Sequence, residues 1–114
     1  MSFDYKIECL LKIFNQIQFQ QCIIFTNYQT KAENLSKALN AKGLPTIFIS
    51  GNLTQTERNK AIAQLKEFKS RILVSTDLTS RGIDIDTIDL VISMDLPTDP
   101  ETYLHRYFLI KAIF

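Results

Sequence analysis

Four short apolar runs are separated by segments of helical periodicity, and that alternation constrains the fold more than any other feature of the chain. Cys22 to Thr26, Thr46 to Ile49, Arg71 to Val74 and Leu90 to Met94 are each of strand length. The first reads as a strand buried on both faces. Ahead of it, Ile7, Leu10, Leu11, Phe14 and Ile17 recur at helical spacing and predict an amphipathic helix from about Asp4 to Ile17. Ala32, Leu35 and Leu39 mark a second helix, which Gly43 stops. Thr54 and Glu57 stand in capping-box relation. They open a third helix that is expected to bury Ala61, Ile62, Leu65 and Phe68 and to run to about Lys69. Asp99 can cap, and Pro100 can start, a last helix. No hairpin signal in the sequence separates the strands. The pattern therefore predicts an α/β fold, a parallel doubly wound sheet with right-handed crossovers.

With 114 residues the chain allows one domain. Its 46% hydrophobic and 22% charged residues exclude a disordered polymer. A net charge of +1 gives no basic footprint, so any nucleic-acid surface has to be local. Lys60, Lys66, Lys69 and Arg71 are interleaved with Glu57 and Glu67, the pattern of a solvated face rather than a basic patch. Phe3, Phe19, Phe48 and Phe68 read as core rather than as platforms for bases. Two cysteines and one histidine are too few for a structural zinc site. Cys9 and Cys22 are expected to be free thiols, which points to a reducing, intracellular setting. Met1 to Lys6 lacks the charged-then-apolar signature of a signal peptide. No apolar run approaches the ~20 residues of a membrane span, so no membrane partner is expected.

Chemistry concentrates on one loop. The strand Ile72-Leu73-Val74 delivers Ser75, Thr76, Asp77, Thr79, Ser80, Arg81, Gly82 and Asp84 in quick succession. In an α/β domain the carboxyl end of a strand is where ligands bind. Hydroxyls and backbone N–H groups suit phosphate, and a carboxylate suits a ribose hydroxyl. The same residues also suit a surface turn in which Thr and Asp satisfy nearby backbone groups.

The order of residues resembles the C-terminal RecA-like domain of DEAD-box RNA helicases, in which Thr-Asp and Arg-Gly-Ile-Asp stand at this spacing. Ile23-Ile24-Phe25-Thr26-Asn27 is similar to that domain's first strand motif. Ser50-Gly51-Asn52 stands at its glycine turn, and Gln55-Thr56-Glu57-Arg58 matches its Gln-x-x-Arg element. Val91 to Pro97 resembles the next strand and turn, and Tyr103-Leu104-His105-Arg106 the start of the last motif. The resemblance runs from Tyr5 to Arg106, and several ordered motifs together are strong where one would be weak. Within the family the chain looks most like the DEAD-box subunit of the SMN complex.

The resemblance implies a RecA-like sheet over residues 4–106 that is one half of an ATP-dependent RNA helicase. Asp84, with Gly82 beside it, is implied to hold the ribose of ATP, magnesium being supplied through an N-terminal RecA-like domain. Thr76, Gly51, Arg58 and Asn27 are implied to take RNA phosphates and sugars, so that binding is independent of sequence. Arg81, His105 and Arg106 are implied to face the N-terminal domain. The implied partners are RNA, that domain and SMN-complex proteins, in the nucleus, the cytoplasm or both.

The chain departs from the pattern after Arg106. The family motif continues Ile-Gly-Arg-x-Gly-Arg, whereas here Tyr107 to Ala112 follow, with Leu109 and Ala112 in the places of the two arginines. The first of those arginines is a finger of the kind worth ~10³–10⁵ in phosphoryl transfer. Nor does any stretch match a Gly-x-x-x-x-Gly-Lys phosphate loop or the acidic magnesium motif. Residues 107–114 are therefore expected to be a divergent tail that truncates the domain and leaves a sheet edge or face uncovered. No catalytic residue is assigned, and the polypeptide is expected to be inactive alone. The rival reading is a non-catalytic module that holds RNA or a protein within a ribonucleoprotein assembly.

Overall fold

The structure, a computed structural model, describes residues 3–26, 28–51, 53–76, 87–94 and 109–112, the last four by backbone alone. Among the described residues eight elements follow one another: α1 (Phe3–Gln16), β1 (Gln21–Thr26), α2 (Gln29–Ala41), β2 (Thr46–Ile49), α3 (Gln55–Lys66), β3 (Ile72–Thr76), β4 (Ile88–Ser93) and β5 (Leu109–Ala112). They build one sheet in the order β2-β3-β1-β4-β5. β1 runs parallel to both β3 and β4, and β2 runs parallel to β3. The expected parallel α/β sheet is present over these four strands.

Alternation along the strands sorts the core into two layers. Cys22 and Ile24 of β1, Ile72 and Val74 of β3, and Leu90 and Ile92 of β4 meet Ile7 and Leu10 of α1 and Ala32, Leu35 and Leu39 of α2. Ile23, Ile49 and Leu73 point the other way and meet Leu65 of α3, with Ala61 and Ile62 packed alongside. A period of two in the strands and of 3.6 in the helices produces this arrangement without further instruction. The sheet is covered on both faces, as a doubly wound fold requires.

The helix ends follow from backbone chemistry. At the start of α3, Glu57 N–H donates to Thr54 Oγ1 at 3.1 Å, the cap that the sequence predicts. α2 closes in a Schellman turn. Gly43 sits at φ +83°, its N–H reaches Asn40 O at 3.0 Å, and Leu44 N–H reaches Leu39 O at 3.1 Å. α3 ends in the same way, with Phe68 N–H on Leu65 O at 3.0 Å and Lys69 N–H on Gln64 O at 2.9 Å. Phe68 thus occupies the left-handed position at φ +59°. This corrects the expected helix to Lys69 and the expected burial of Phe68, which is half exposed. Phe3 is also exposed rather than core, while Phe19 and Phe48 do pack against it.

Two polar side chains that periodicity does not signal tie these layers together. Asn40 donates to Ser36 O and Thr46 O and accepts from Thr46 N–H, joining the end of α2 to the start of β2. Gln21 is fully buried at the head of β1. Its amide donates to Leu65 O at 2.7 Å and Ser70 O at 2.9 Å, and its carbonyl accepts from the Thr87 hydroxyl.

The last strand also differs from expectation. β5 pairs antiparallel with β4, Ser93 opposite Leu109 and Leu90 opposite Ala112. The tail therefore covers the β4 edge that was expected to stay open. The two residues in the arginine places are the first and last of that strand. The helix expected from Asp99 and Pro100 lies outside the described residues.

Candidate nucleic-acid interface

The carboxyl ends of the parallel strands set the geometry. Thr26 and Thr76 end β1 and β3 as register partners, and Ile49 ends β2 opposite Ser75. The chain leaves β2 through buried Ser50 and exposed Gly51. A turn follows in which Leu53 N–H donates to Ser50 O at 3.3 Å. Thr54 then caps α3, and Arg58 stands just past its first turn, half-buried, with its N–H on Thr54 O at 2.9 Å. Gln55, on the same turn, donates to Asn59 Oδ1 at 2.9 Å. Three of the residues singled out from the sequence, Gly51, Arg58 and Thr76, are thereby brought to one end of the sheet, on adjacent strands β2 and β3 and the helix that follows β2. Asn27, Arg81, Gly82, Asp84, His105 and Arg106 lie outside the described residues.

Known proteins share this fold. Residues 5–107 match the helicase conserved C-terminal domain. The chain belongs to that family. Its relatives are DEAD-box RNA helicases. It is 46% identical over 104 residues to the probable ATP-dependent RNA helicase DDX20 of Mus musculus, covering 91% of this chain and 13% of that protein. With the ddx20 of Dictyostelium discoideum it shares 48% over 105 residues, covering 92% of this chain and 12% of that protein. With the eIF4A helicase of Candida albicans it shares 40%, covering 90% of this chain and 26% of that protein. The chain thus spans between an eighth and a quarter of the length of these relatives. Among solved structures, the helicase domain superposes on the E. coli DEAD-box protein SrmB, bound to the regulator RraA, with a TM-score of 0.78 and 31% identity, covering 92% of this chain and 62% of that one. The C-terminal domain of S. cerevisiae Dbp5, bound to Gle1 and IP6, gives 0.73 and 32%, covering 90% and 61%.

The opposite end of the helicase domain is built for structure. Arg71 lies over the Phe19 ring at 4.4 Å and donates to Phe19 O at 2.6 Å and Gln20 O at 3.3 Å. Both Asp89 oxygens accept from Gln20 N–H, at 2.9 and 3.0 Å. These residues line an open cleft of about 580 Å³ with Phe14, Ile17 and Gln18. Lys69 pairs with Glu67 at 3.2 Å. The residues that could be read as a basic patch are thus divided between a brace, an ion pair and solvated lysines. Burial, and secondarily the Asp89 charge, pushes the Cys22 thiol far above its ordinary range, so it stays protonated and is no nucleophile. Cys9 and Cys22 are both free. No helix among the described residues is long and apolar enough to cross a membrane.

Proposed function

We propose that this chain is the RNA-binding half of a DEAD-box motor, holding single-stranded RNA by its backbone at the carboxyl ends of β2 and β3. The observation that carries the reading is the convergence of Thr76, Gly51 and Arg58 at one sheet end. A hydroxyl, a backbone N–H free of side-chain obstruction and a guanidinium fork are three donors suited to phosphate. Such contacts fix a strand without reading its bases. Asn27 adds a further contact, Asp84 and Gly82 take the ribose of ATP, and Arg81, His105 and Arg106 face an N-terminal RecA-like domain. That domain contributes the phosphate loop and the magnesium site. The likeness to Dbp5 solved with RNA and ADP BeF3, and to Prp28 solved with ADP, supports both ligands. Higher identity to the DDX20 proteins than to eIF4A supports SMN-complex proteins as partners, in the nucleus, the cytoplasm or both.

Three phosphate contacts imply a log–log salt slope of about −2, at roughly −0.7 per contact for single strands. Fluorescence anisotropy of a labelled oligouridine across a salt series tests this. Arg58→Ala is expected to flatten the slope to about −1.4 and to weaken all RNAs alike. Tight, salt-independent binding to one sequence contradicts the reading. The polypeptide alone is expected to show no RNA-stimulated ATP turnover, and hydrolysis that tracks the protein through purification contradicts that.

A further inference from the structure

Tyr28 is the most exposed large hydrophobic residue among those described, at 63%. It follows the end of β1 by two residues and takes the N-cap position of α2, with extended backbone (φ −119°, ψ 138°) and no capping bond from its side chain. A tyrosine is a poor cap, and Ser, Thr, Asp or Asn there would satisfy the helix better. Lys31, one turn into α2, places its ammonium 5.0 Å from the ring centroid. The pair holds an aromatic face and a cation out in solvent.

Its position relates it to the phosphate contacts. Thr26 and Thr76 are register partners, so their Cα atoms are about 4.8 Å apart. Two residues of chain reach at most about 7 Å beyond Thr26. The Tyr28 Cα therefore stands within about 12 Å of the Thr76 Cα, the span of a dinucleotide, and at the same end of the sheet. Phe68, also exposed, belongs to the end of α3, which leads into the start of β3, away from this end.

We infer that Tyr28 is a stacking platform for one nucleobase of the RNA strand whose phosphates Thr76 and its neighbours hold, with Lys31 on the opposite ring face. The inference rests on the RNA-binding reading above and adds to it a contact with a base. An aromatic face accepts any base, so stacking adds affinity without sequence preference. Lys31 polarises the ring from one side, and its charge also suits the adjoining phosphate.

The test uses the 114-residue chain and two oligomers of equal length, oligouridine and its abasic counterpart. The wild type is expected to bind oligouridine more tightly. Tyr28→Ala is expected to lose roughly 5- to 150-fold in oligouridine affinity, the range for one base–aromatic stack. It should bind the two oligomers alike and keep the salt slope. Tyr28→Phe keeps the ring and the preference. Arg58→Ala behaves in the converse way, flattening the slope while the preference for bases survives. The chain contains no tryptophan, so Tyr28→Trp supplies a single reporter whose emission oligouridine should quench and the abasic oligomer should not. Unchanged binding by Tyr28→Ala, with Arg58→Ala still flattening the slope, overturns the stacking platform and leaves the backbone reading intact. A wild type that binds neither oligomer overturns both.

Discussion

Replacing Gln21 by methionine removes a hub of similar volume and leaves its partners behind. The Gln21 amide serves Leu65 O and Ser70 O, and its carbonyl serves Thr87, all from a fully buried position. The partners are not equally exposed to the loss. Leu65 O keeps a bond from Phe68 N–H at 3.0 Å. Thr87 is half-buried and can turn its hydroxyl to water. Ser70 O, which accepts from this amide in a residue that is 4% exposed, has the most to lose. An orphaned buried acceptor costs about 1–3 kcal/mol, and weakened bonds to the other two bring the total to about 2–3 kcal/mol. With a urea m value of about 1.5 kcal/mol/M, the midpoint should fall by roughly 1.3–2 M. Gln21→Glu should be worse at neutral pH, because a carboxylate would face two carbonyls. Burial raises such a group's folded pKa, so that penalty is present above about pH 4.3 and fades as the pH falls and the carboxyl protonates. Urea melts of both variants at two pH values decide the matter. A midpoint shift for Gln21→Met below about 0.3 M refutes the reasoning.

Other consequences are read with the same melts and with simple chemistry. Gly43→Ala should cost about 1 kcal/mol through backbone strain alone, since a Cβ there meets nothing within 4 Å. Phe68→Gly should stabilise by about 0.5–1 kcal/mol, relief of left-handed strain exceeding the entropy that glycine adds to the unfolded chain. Cys22 should resist thiol reagents until the chain unfolds. Its raised folded pKa means stability is intact below the ordinary thiol range and declines above about pH 8.5, by up to ~1.4 kcal/mol per pH unit, an effect that Cys22→Ala should abolish. Deleting residues 107–114 removes β5 and bares the β4 edge, so size-exclusion runs should show concentration-dependent association.

The fold was legible where periodicity is strong. The residues that alternate in Cys22 to Thr26 and repeat in Ala32, Leu35 and Leu39 are those that form the two core layers, because burial is a matter of which face a side chain takes. The end of α3 was not legible, since a Schellman turn is signalled by glycine and here it carries Phe68. β5 was missed because antiparallel pairing at an edge needs only four residues with free backbone groups, and no periodicity announces that. Gln21 was hidden for a related reason: a lone polar residue at a strand end looks like a boundary, and only tertiary packing gives it partners. At the candidate interface, motif order brought out Gly51, Arg58 and Thr76, whereas Tyr28 carries no motif and is marked only by its exposure beside them.

The central claim is that RNA sits at the carboxyl ends of the parallel strands, and amide chemical-shift mapping of the 114-residue chain during titration with single-stranded RNA tests it most directly. The account predicts shifts that cluster at Tyr28, Gly51, Leu53, Thr54, Arg58 and Thr76 and shrink together as salt is raised. Shifts that cluster instead at Phe19, Gln20, Arg71 and Asp89, around the cleft at the other end of the sheet, would contradict it.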